Sequence, residues 1–455
     1  MKTQSANSVF SVISRRDLIR SSTILLATTP TVSVPAFLPC ARGENAPSNR
    51  IRVGCVGLGG MGTGDAYGHR HHGELVALCD VDKNRLGRAQ EKFQVSSESC
   101  YGDYRRILDR NDIDLVSCST PDHWHVKIVI EALMAGKHVF CQKPLTLTVA
   151  EGFLIRQACE KYQNAFQVGT QQRSQLNLFG RAVNFCRKGI LGKIKKVIVG
   201  LPASPNPNQD VTPFPVAPIP QELDWNMWLG QAPYTEFIQR RCHGTFRYWF
   251  EYASGVIADW GAHHIDIVLW ALEMDKKGTG PISIDGTDSR SLCGFDAQGN
   301  PDTDKMYNTP CEFDFNCRFE SGTELHITTR ADNGIIFEGE KGRIFVNRER
   351  ITGKPIEEGW DNGKYTEEDK IALYNGNPLM DHKANLYYCV RNGGLCVSDP
   401  FSHVQTMTIA HLCGIAARLK RVVRWDPVAE KVLGDELAQS FLSREQRKGF
   451  EIVLK

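Results

Sequence analysis

Residues 51–62 read IRVGCVGLGGMG. The first six form an apolar run of strand length. They lead straight into Gly57, Gly59 and Gly62 at G-x-G-x-x-G spacing. Each glycine answers a physical need. The first makes a tight turn, the second lets backbone approach a pyrophosphate, and the third lets the next helix pack close to the strand. The helix N-terminus then presents free N–H groups to the phosphates. Gly57, Leu58, Gly59, Gly60, Met61 and Gly62 therefore read as a dinucleotide-binding loop. A second strand-like run, ELVALC at 74–79, ends in Asp80, 23 residues after Gly57. A carboxylate there suits two ribose hydroxyls and repels a 2′-phosphate, so NAD is expected and NADP is the poorer fit.

The pattern repeats outward from this loop. Lys83 to Phe93 reads as a helix. DLVSCS at 114–119 reads as a buried strand that ends in Thr120 and Pro121. Trp124 to Ala135 carries Val126, Val129, Ile130 and Leu133 at helical spacing, and Gly136 stops it. HVFC at 138–141 is the next strand, ending in Gln142, Lys143 and Pro144; a helix over 154–162 and a strand over 165–168 follow. Alternating strands and helices predict a doubly wound parallel sheet, an α/β Rossmann domain. Ligands of such sheets sit beyond the carboxyl ends of the strands. Gly57 to Gly62, Asp80, Thr120, Pro121, Gln142 and Lys143 all fall at such ends.

Composition bounds the rest. The 455 residues exceed one small domain and suit two. Lys plus Arg is 54 and Asp plus Glu is 52, a net charge of +2. That excludes a strongly basic nucleic-acid binder. The 15 cysteines are odd in number and too sparse for a disulfide scaffold, and no Cys-x-x-Cys pair suggests a metal cluster. Cys55, Cys79, Cys118 and Cys141 fall inside core strands, where cysteine acts as a small apolar residue.

The charge is unevenly placed. Residues 1–50 hold six basic side chains against Asp17 and Glu44, a net +4, which leaves −2 for the remainder. Arg15 and Arg16 precede a weakly apolar stretch from Thr23 to Leu38 that Pro30 and Pro35 interrupt. The stretch is too short and broken for a permanent membrane span. A charged start, a short apolar run and a polar exit resemble a twin-arginine export signal. The expected organisation is a signal peptide and linker at 1–49, an NAD-binding domain at 50–173, and a substrate-binding and oligomerisation domain at 174–455. The expected location is the periplasm or another exported compartment, reached through the twin-arginine machinery.

From about Ile51 onward the chain resembles the Gfo/Idh/MocA family of NAD(P)-dependent oxidoreductases. The carrying residues are the Gly57–Gly62 loop, Asp80, TPDHWH at 120–125, AGKHVFCQKP at 135–144, and ADWGAHHID at 258–266. The resemblance implies a second, α+β domain: an open, mostly antiparallel sheet with flanking helices, whose outer face often makes a dimer or tetramer. Strand-like runs at 195–201, 311–319, 323–330, 334–338 and 343–346 agree, and the apolar helix from Met407 to Leu419 is expected to return onto the sheet domain. The resemblance also assigns Thr120, Pro121, His125, Gln142 and Lys143 to the cofactor. One departure stands out. Gln142 occupies a position where the family often has Glu, so no negative charge is added beside Lys143.

Hydride transfer from a carbinol needs a nicotinamide against the carbon, a base for the hydroxyl proton and a positive group for the developing alkoxide. The resemblance gives Lys143 the substrate oxygen and the nicotinamide ribose. Asp259 and His263 match the family's Asp-x-x-x-His pair, with His263 as base. Four apart on a helix, they would share one face, and the carboxylate would raise the imidazole's basicity. Asp266 could hold His263 or the substrate; His264 points elsewhere and reads as structural. Asp259, His263 and His243 could instead be metal ligands, but the lysine–nicotinamide pairing explains the same residues, and no metal is expected. His69, His71 and His72 read as a solvated surface cluster. Gln172 and Arg173 follow the strand ending at Val168 and could meet sugar hydroxyls. Trp249, in an aromatic-rich region with Trp225, Trp228, Tyr248 and Tyr252, could stack on a sugar ring or pack a core.

Three functions fit. The first is an NAD-dependent oxidoreductase for a sugar, sugar derivative or polyol. The second is redox-neutral glycoside cleavage by oxidation, elimination and re-reduction. The third is a non-catalytic sugar-binding protein, which retention of Lys143, Asp259 and His263 argues against. Export sharpens the expectation: little free NAD exists outside the cytoplasm, so the cofactor should be tightly bound and recycled in place.

Overall fold

The computed structural model describes residues 50–206, 208, 209 and 211–455; the export segment read above lies outside the described residues. Two sheets organise the chain. The first holds β1 (Arg52–Val56), β2 (Glu74–Cys79), β3 (Cys100–Tyr101), β4 (Leu115–Cys118), β5 (His138–Cys141) and β6 (Phe166–Val168), in spatial order β3-β2-β1-β4-β5-β6. Every pairing is parallel. Helices cover both faces, so strands such as β4 are buried at every position and read as unbroken apolar runs. Cys55, Cys79, Cys118 and Cys141 are all buried free thiols among these strands.

The helices of this half are α1 (Gly60–Arg70), α2 (Lys83–Phe93), α3 (Asp122–Met134) and α4 (Val149–Tyr162). α4 starts with a capping box, in which Thr148 and Glu151 satisfy each other's backbone N–H groups. His69 differs from the surface cluster expected of it. It is fully buried and its Nδ1 meets Tyr387 Oη at 3.1 Å. Only His71 and His72 stay toward solvent, because Phe140 and Tyr387 enclose the third ring.

The second sheet has 10 strands in order β14-β13-β12-β7-β11-β10-β8-β15-β16, with β9 paired to β10. They are β7 (Ile194–Gly200), β8 (Pro281–Asp285), β9 (Ser289–Arg290), β10 (Glu312–Phe319), β11 (Glu324–Thr328), β12 (Gly334–Gly339), β13 (Arg343–Val346), β14 (Ile351–Thr352), β15 (Val422–Asp426) and β16 (Lys431–Val432). β10 shows why the sheet is open on one side. Phe313, Phe315, Cys317 and Phe319 alternate inward while Glu312, Asp314, Asn316 and Arg318 alternate outward. The sheet is mixed rather than wholly antiparallel, since β11 runs parallel to β7. More than 120 residues separate the two, so no hairpin constrains their direction.

α5 (Arg181–Arg187), α6 (Val256–Asp259) and α7 (Gly261–Leu272) pack under this sheet, and the largest apolar cluster lies there. α8 (His382–Asn392) and α9 (Pro400–Leu419) then cross back. α9 packs on the second sheet's β8, as the sequence suggests, but also on α4 of the first domain. A Cβ on Gly152 of α4 would come within 2.8 Å of Val404 Cγ1 on α9. Leu386, Tyr387 and Cys389 of α8 join the core that holds Val53 and Leu58. The late helices therefore seal the seam between both halves. No described helix is long and apolar enough to cross a membrane.

Phe337 on β12 is fully buried in the largest cluster. Phe337→Ala should cost about 3–5 kcal/mol through transfer and cavity terms, read as a lower urea midpoint with the m-value unchanged.

Candidate active site

The cofactor cavity is built at the carboxyl ends of the first sheet. Its volume is about 340 Å³, and its wall includes Gly57, Gly59 to Gly62, Asp80, Thr120, Pro121, Gln142 and Lys143. The glycine loop leaves room that a side chain would take. Gly57 has φ +84°, and a Cβ there would sit 2.6 Å from Ser119 O. A Cβ on Gly62 would sit 1.8 Å from Gly57 O, whereas one on Gly60 would meet nothing within 4 Å. No side chain caps α1, whose first turn faces the cavity with its N–H groups free for an anion. Leu58 N–H donates to Asp80 Oδ2 at 2.7 Å, and Asp82 N–H donates to Oδ1 at 2.9 Å. Each oxygen keeps a further lone pair for ribose hydroxyls. Burial pushes the Asp80 carboxyl up, against those two hydrogen bonds. These residues fit a dinucleotide: the loop for the pyrophosphate, Asp80 for a ribose, and Thr120, Pro121 and Lys143 toward the nicotinamide.

The second domain roofs this cavity. Lys83 N–H donates to Glu222 O at 2.9 Å and Asp224 N–H to Val81 O at 3.0 Å, while Leu223 bridges Asp82. His243 Nε2 lies 3.4 Å from Asp82 Oδ2, and Gly244, Phe246 and Arg247 complete the wall. His243 thus meets Asp82, and among the described residues it does not converge with Asp259 and His263 as a metal-ligand group. None of these roof residues carries a motif, so only the fold reveals them.

Lys143 leaves the end of β5 and reaches the end of α6. Its Nζ donates to Asp259 Oδ1 at 2.6 Å and to Asp259 O at 2.9 Å. Arg247 Nε adds a second contact to Asp259 Oδ1 at 3.2 Å. Burial alone would raise the Asp259 carboxyl, but Lys143 and then Arg247 hold it below the usual range. The expected Asp259–His263 pairing is therefore not what the fold builds. α6 ends at Asp259 and α7 begins at Gly261, and the carboxylate turns to the two cations. His263 Nδ1 is buried without a hydrogen-bond partner. Burial first, then Lys143 and Arg348, push its pKa well down, so the ring is a neutral imidazole.

Other expected residues take different places. Asp266 is 1% exposed and gripped by Arg173, with Nε–Oδ2 at 2.7 Å and Nη2–Oδ1 at 2.8 Å. Neither group is free for a substrate; the pair instead fixes α7 to the end of the first domain. Gln172 is buried beneath α7. With its amide oriented to suit its neighbours, it donates to His263 O at 3.1 Å and accepts from Arg348 Nε at 3.1 Å. Trp249 is fully buried, donates to Arg240 O and lies 4.0 Å beneath the Arg241 guanidinium. It belongs to an aromatic core with Trp225, Trp228 and Tyr252 and is no sugar platform. Trp260, next to Asp259 in the chain, is partly exposed and lies 4.7 Å from the Arg348 guanidinium. His125 is also buried, with Nδ1 2.6 Å from Pro144 O and Nε2 2.9 Å from Thr120 O. It ties two strand ends together rather than meeting a cofactor. Its ring lies near Cys118 and Cys141 in a grouping of possible metal ligands; a carbonyl faces each ring nitrogen, and the neutral ring can donate to one of them.

The Gln142 departure has a local cause. Its Nε2 donates to Asp65 Oδ2 at 2.8 Å, and Asp65 also accepts from Ser119 Oγ and Lys383 Nζ. Glu at 142 would set two carboxylates at hydrogen-bond distance. Further residues that sequence reasoning passed over are Arg247, Arg348, Asp65, Asp122 and His403; the last is buried near Lys143 and Arg173 with neither ring nitrogen partnered.

This is a nucleotide fold in which Lys143, in the cavity wall, pairs with a carboxylate and acts on a neutral imidazole. Residues 51–170 match the NAD-binding Rossmann fold of the Gfo/Idh/MocA oxidoreductase family, and residues 189–348 match that family's C-terminal alpha/beta domain. The two regions span more than half of the chain, and the protein belongs to this family. A glycosyl hydrolase family 109 protein of Shewanella pealeana is 32% identical over 174 residues, 35% of this chain and 37% of that one. An α-N-acetylgalactosaminidase of Shewanella oneidensis is 32% identical over 154 residues, 32% of this chain and 33% of that one. The chain thus matches about a third of the length of these relatives. The WlbA dehydrogenase of Bordetella pertussis, solved with NADH and UDP-GlcNAcA, shares the fold at TM-score 0.57 and 18% identity, over 82% of this chain and 98% of that one.

Gly57→Ala should weaken NAD binding at least tenfold, because strained backbone and a 2.6 Å contact both oppose it; quenching of protein fluorescence by NADH reads the loss, with circular dichroism checking the fold. Gln142→Glu should lower the melting temperature by an amount that grows from pH 5 to pH 8, since the new carboxyl beside Asp65 is tolerated only while one of the two carries a proton; thermal melts across that range read it.

Proposed function

We propose that the protein is an NAD-dependent enzyme that moves hydride between a retained nicotinamide and a carbinol carbon of a sugar, sugar derivative or polyol. The observation that carries this reading is Lys143, which shares a cavity wall with the glycine loop, is paired with Asp259 and acts on neutral His263. When bound, NAD supplies the hydride acceptor. Lys143 is the cation that steadies the developing alkoxide, Asp259, itself braced by Arg247, holds its ammonium in position, and His263 is the unprotonated ring available to the hydroxyl proton. The partly exposed Trp260–Arg348 face is a candidate wall for the sugar.

Redox-neutral glycoside cleavage is the second reading. It is favoured by the similarity to the glycosyl hydrolase family 109 proteins. It also suits a roofed cavity, because a cofactor held beneath backbone hydrogen bonds is poorly placed for exchange. The twin-arginine leader, read from residues outside the described ones, supports both a retained cofactor and a periplasmic location.

Purified protein should release NAD or NADH on denaturation. A panel of sugars, polyols and glycosides should contain compounds that bleach or build the reduced-nicotinamide absorbance, or that are cleaved without net change in it. Lys143→Ala and His263→Ala should each lower turnover by about 10²–10⁴-fold. Full activity in both variants overturns the site, and stable absorbance of the reduced cofactor without cleavage favours the dehydrogenase.

A further inference from the structure

Asp122 opens α3 directly after Thr120 and Pro121, and it lines the same cavity as Gln142, Lys143 and Arg247. Its side chain is 5% exposed. The two cations that act on it, Arg247 and Lys143, both make their short contacts to Asp259 instead. Three charged groups therefore face it from three elements: Arg247 from the loop before α6, Asp259 from the end of α6, and Lys143 from the end of β5. Burial raises its carboxyl to about 7; Arg247 and Lys143 oppose that rise, and Asp259 adds to it.

The other proton acceptors in the site suit the task less. Asp259 is held low by its two cations, and His263 is held low by burial and by Lys143. His125 sits at about 4 and is engaged by two carbonyls. A group that takes up a proton at neutral pH and later returns it must change charge near neutrality.

We propose that Asp122 is the proton reservoir of this site: it holds the proton that leaves the substrate hydroxyl and gives it back when the carbonyl is reduced again. This rests on the hydride-transfer reading above. In the forward direction the carbinol C–H bond breaks and its electron pair goes with the hydrogen to the nicotinamide. The O–H pair becomes the second C–O bond, and the proton, taken first by His263, ends on the Asp122 carboxylate. Return reverses each bond, with no outside acid or oxidant. Oxidised nicotinamide carries a positive charge that the reduced form lacks, so Asp122 binds its proton more firmly in the reduced state. A site that recycles its cofactor in place would then store both parts of what it removes.

The first measurement needs no substrate. Wild type, Asp122→Asn and Asp122→Glu are loaded with NAD or with NADH, and the carboxylic-acid stretch is followed by infrared difference spectroscopy against pH. The expected result is one band that titrates near neutrality with NAD and at higher pH with NADH. Asp122→Asn should lack it, and Asp122→Glu should keep it at a shifted position. The same band set in Asp122→Asn overturns the proposal, as does a band indifferent to the cofactor's redox state. The second measurement uses a compound that reduces the bound cofactor, in weak buffer with a pH-indicator dye near pH 7.5. Wild type should release clearly less than one proton per reduced nicotinamide. Asp122→Asn should release close to one and react at least about tenfold more slowly. Full release by wild type overturns the reservoir. If no carbinol reduces the cofactor while the infrared band follows its redox state, the substrate reading falls and the proton-binding role stands.

Discussion

The contact on which this protein turns is the ion pair between Lys143 and Asp259. One partner ends a strand of the first domain and the other ends a helix of the second. The side chains are 12% and 19% exposed, so the pair is largely out of water. Charges that have lost their hydration need each other, and removing one partner of a buried pair commonly costs about 3–5 kcal/mol. Arg247 shares the carboxylate, so the network holds more positive charge than one aspartate balances. That surplus suits a site where negative charge must develop on a substrate oxygen. The contact that joins the domains is thus also the one that fixes the Lys143 ammonium.

A second cross-domain pair supports the first. Arg173, at the end of the first domain, grips Asp266 with two short bonds inside α7. Gln172 holds the same helix through the His263 carbonyl. The imidazole therefore projects from a helix fixed at two points, and it loses the carboxylate partner that its sequence spacing suggests. Its neutrality follows from burial and from the neighbouring cations. A neutral ring can accept a proton, but positive surroundings make it a weak store for one.

The roof over the nucleotide cavity bears on the kind of enzyme this is. Segments 222–224 and 243–247 come from the second domain, yet they close on the end of β2 and the start of α2. Two backbone hydrogen bonds therefore join the domains beside the cavity, an arrangement that fits the retained cofactor proposed above.

The sequence by itself determined the first domain almost completely. Glycine spacing, apolar runs and an acid at a strand end are local features, and a parallel sheet covered on both faces writes them into the chain as continuous signals. The family resemblance also pointed to Lys143 and Asp259, which the fold brings into contact, and to an open second sheet. Who pairs with whom was decided only in three dimensions. Asp259 turned to Lys143, Asp266 to Arg173, Gln142 to Asp65 and Trp249 to Arg241. Except for Arg241, which lies in the same irregular segment as Trp249, these partners are too far along the chain for spacing to report them, and a helix breaks at Trp260 where periodicity assumed continuity. Asp122 shows the same limit. Its identity was plain in TPDHWH, but its proton affinity depends on burial and on charges from three separate elements, and only the folded chain brings those together.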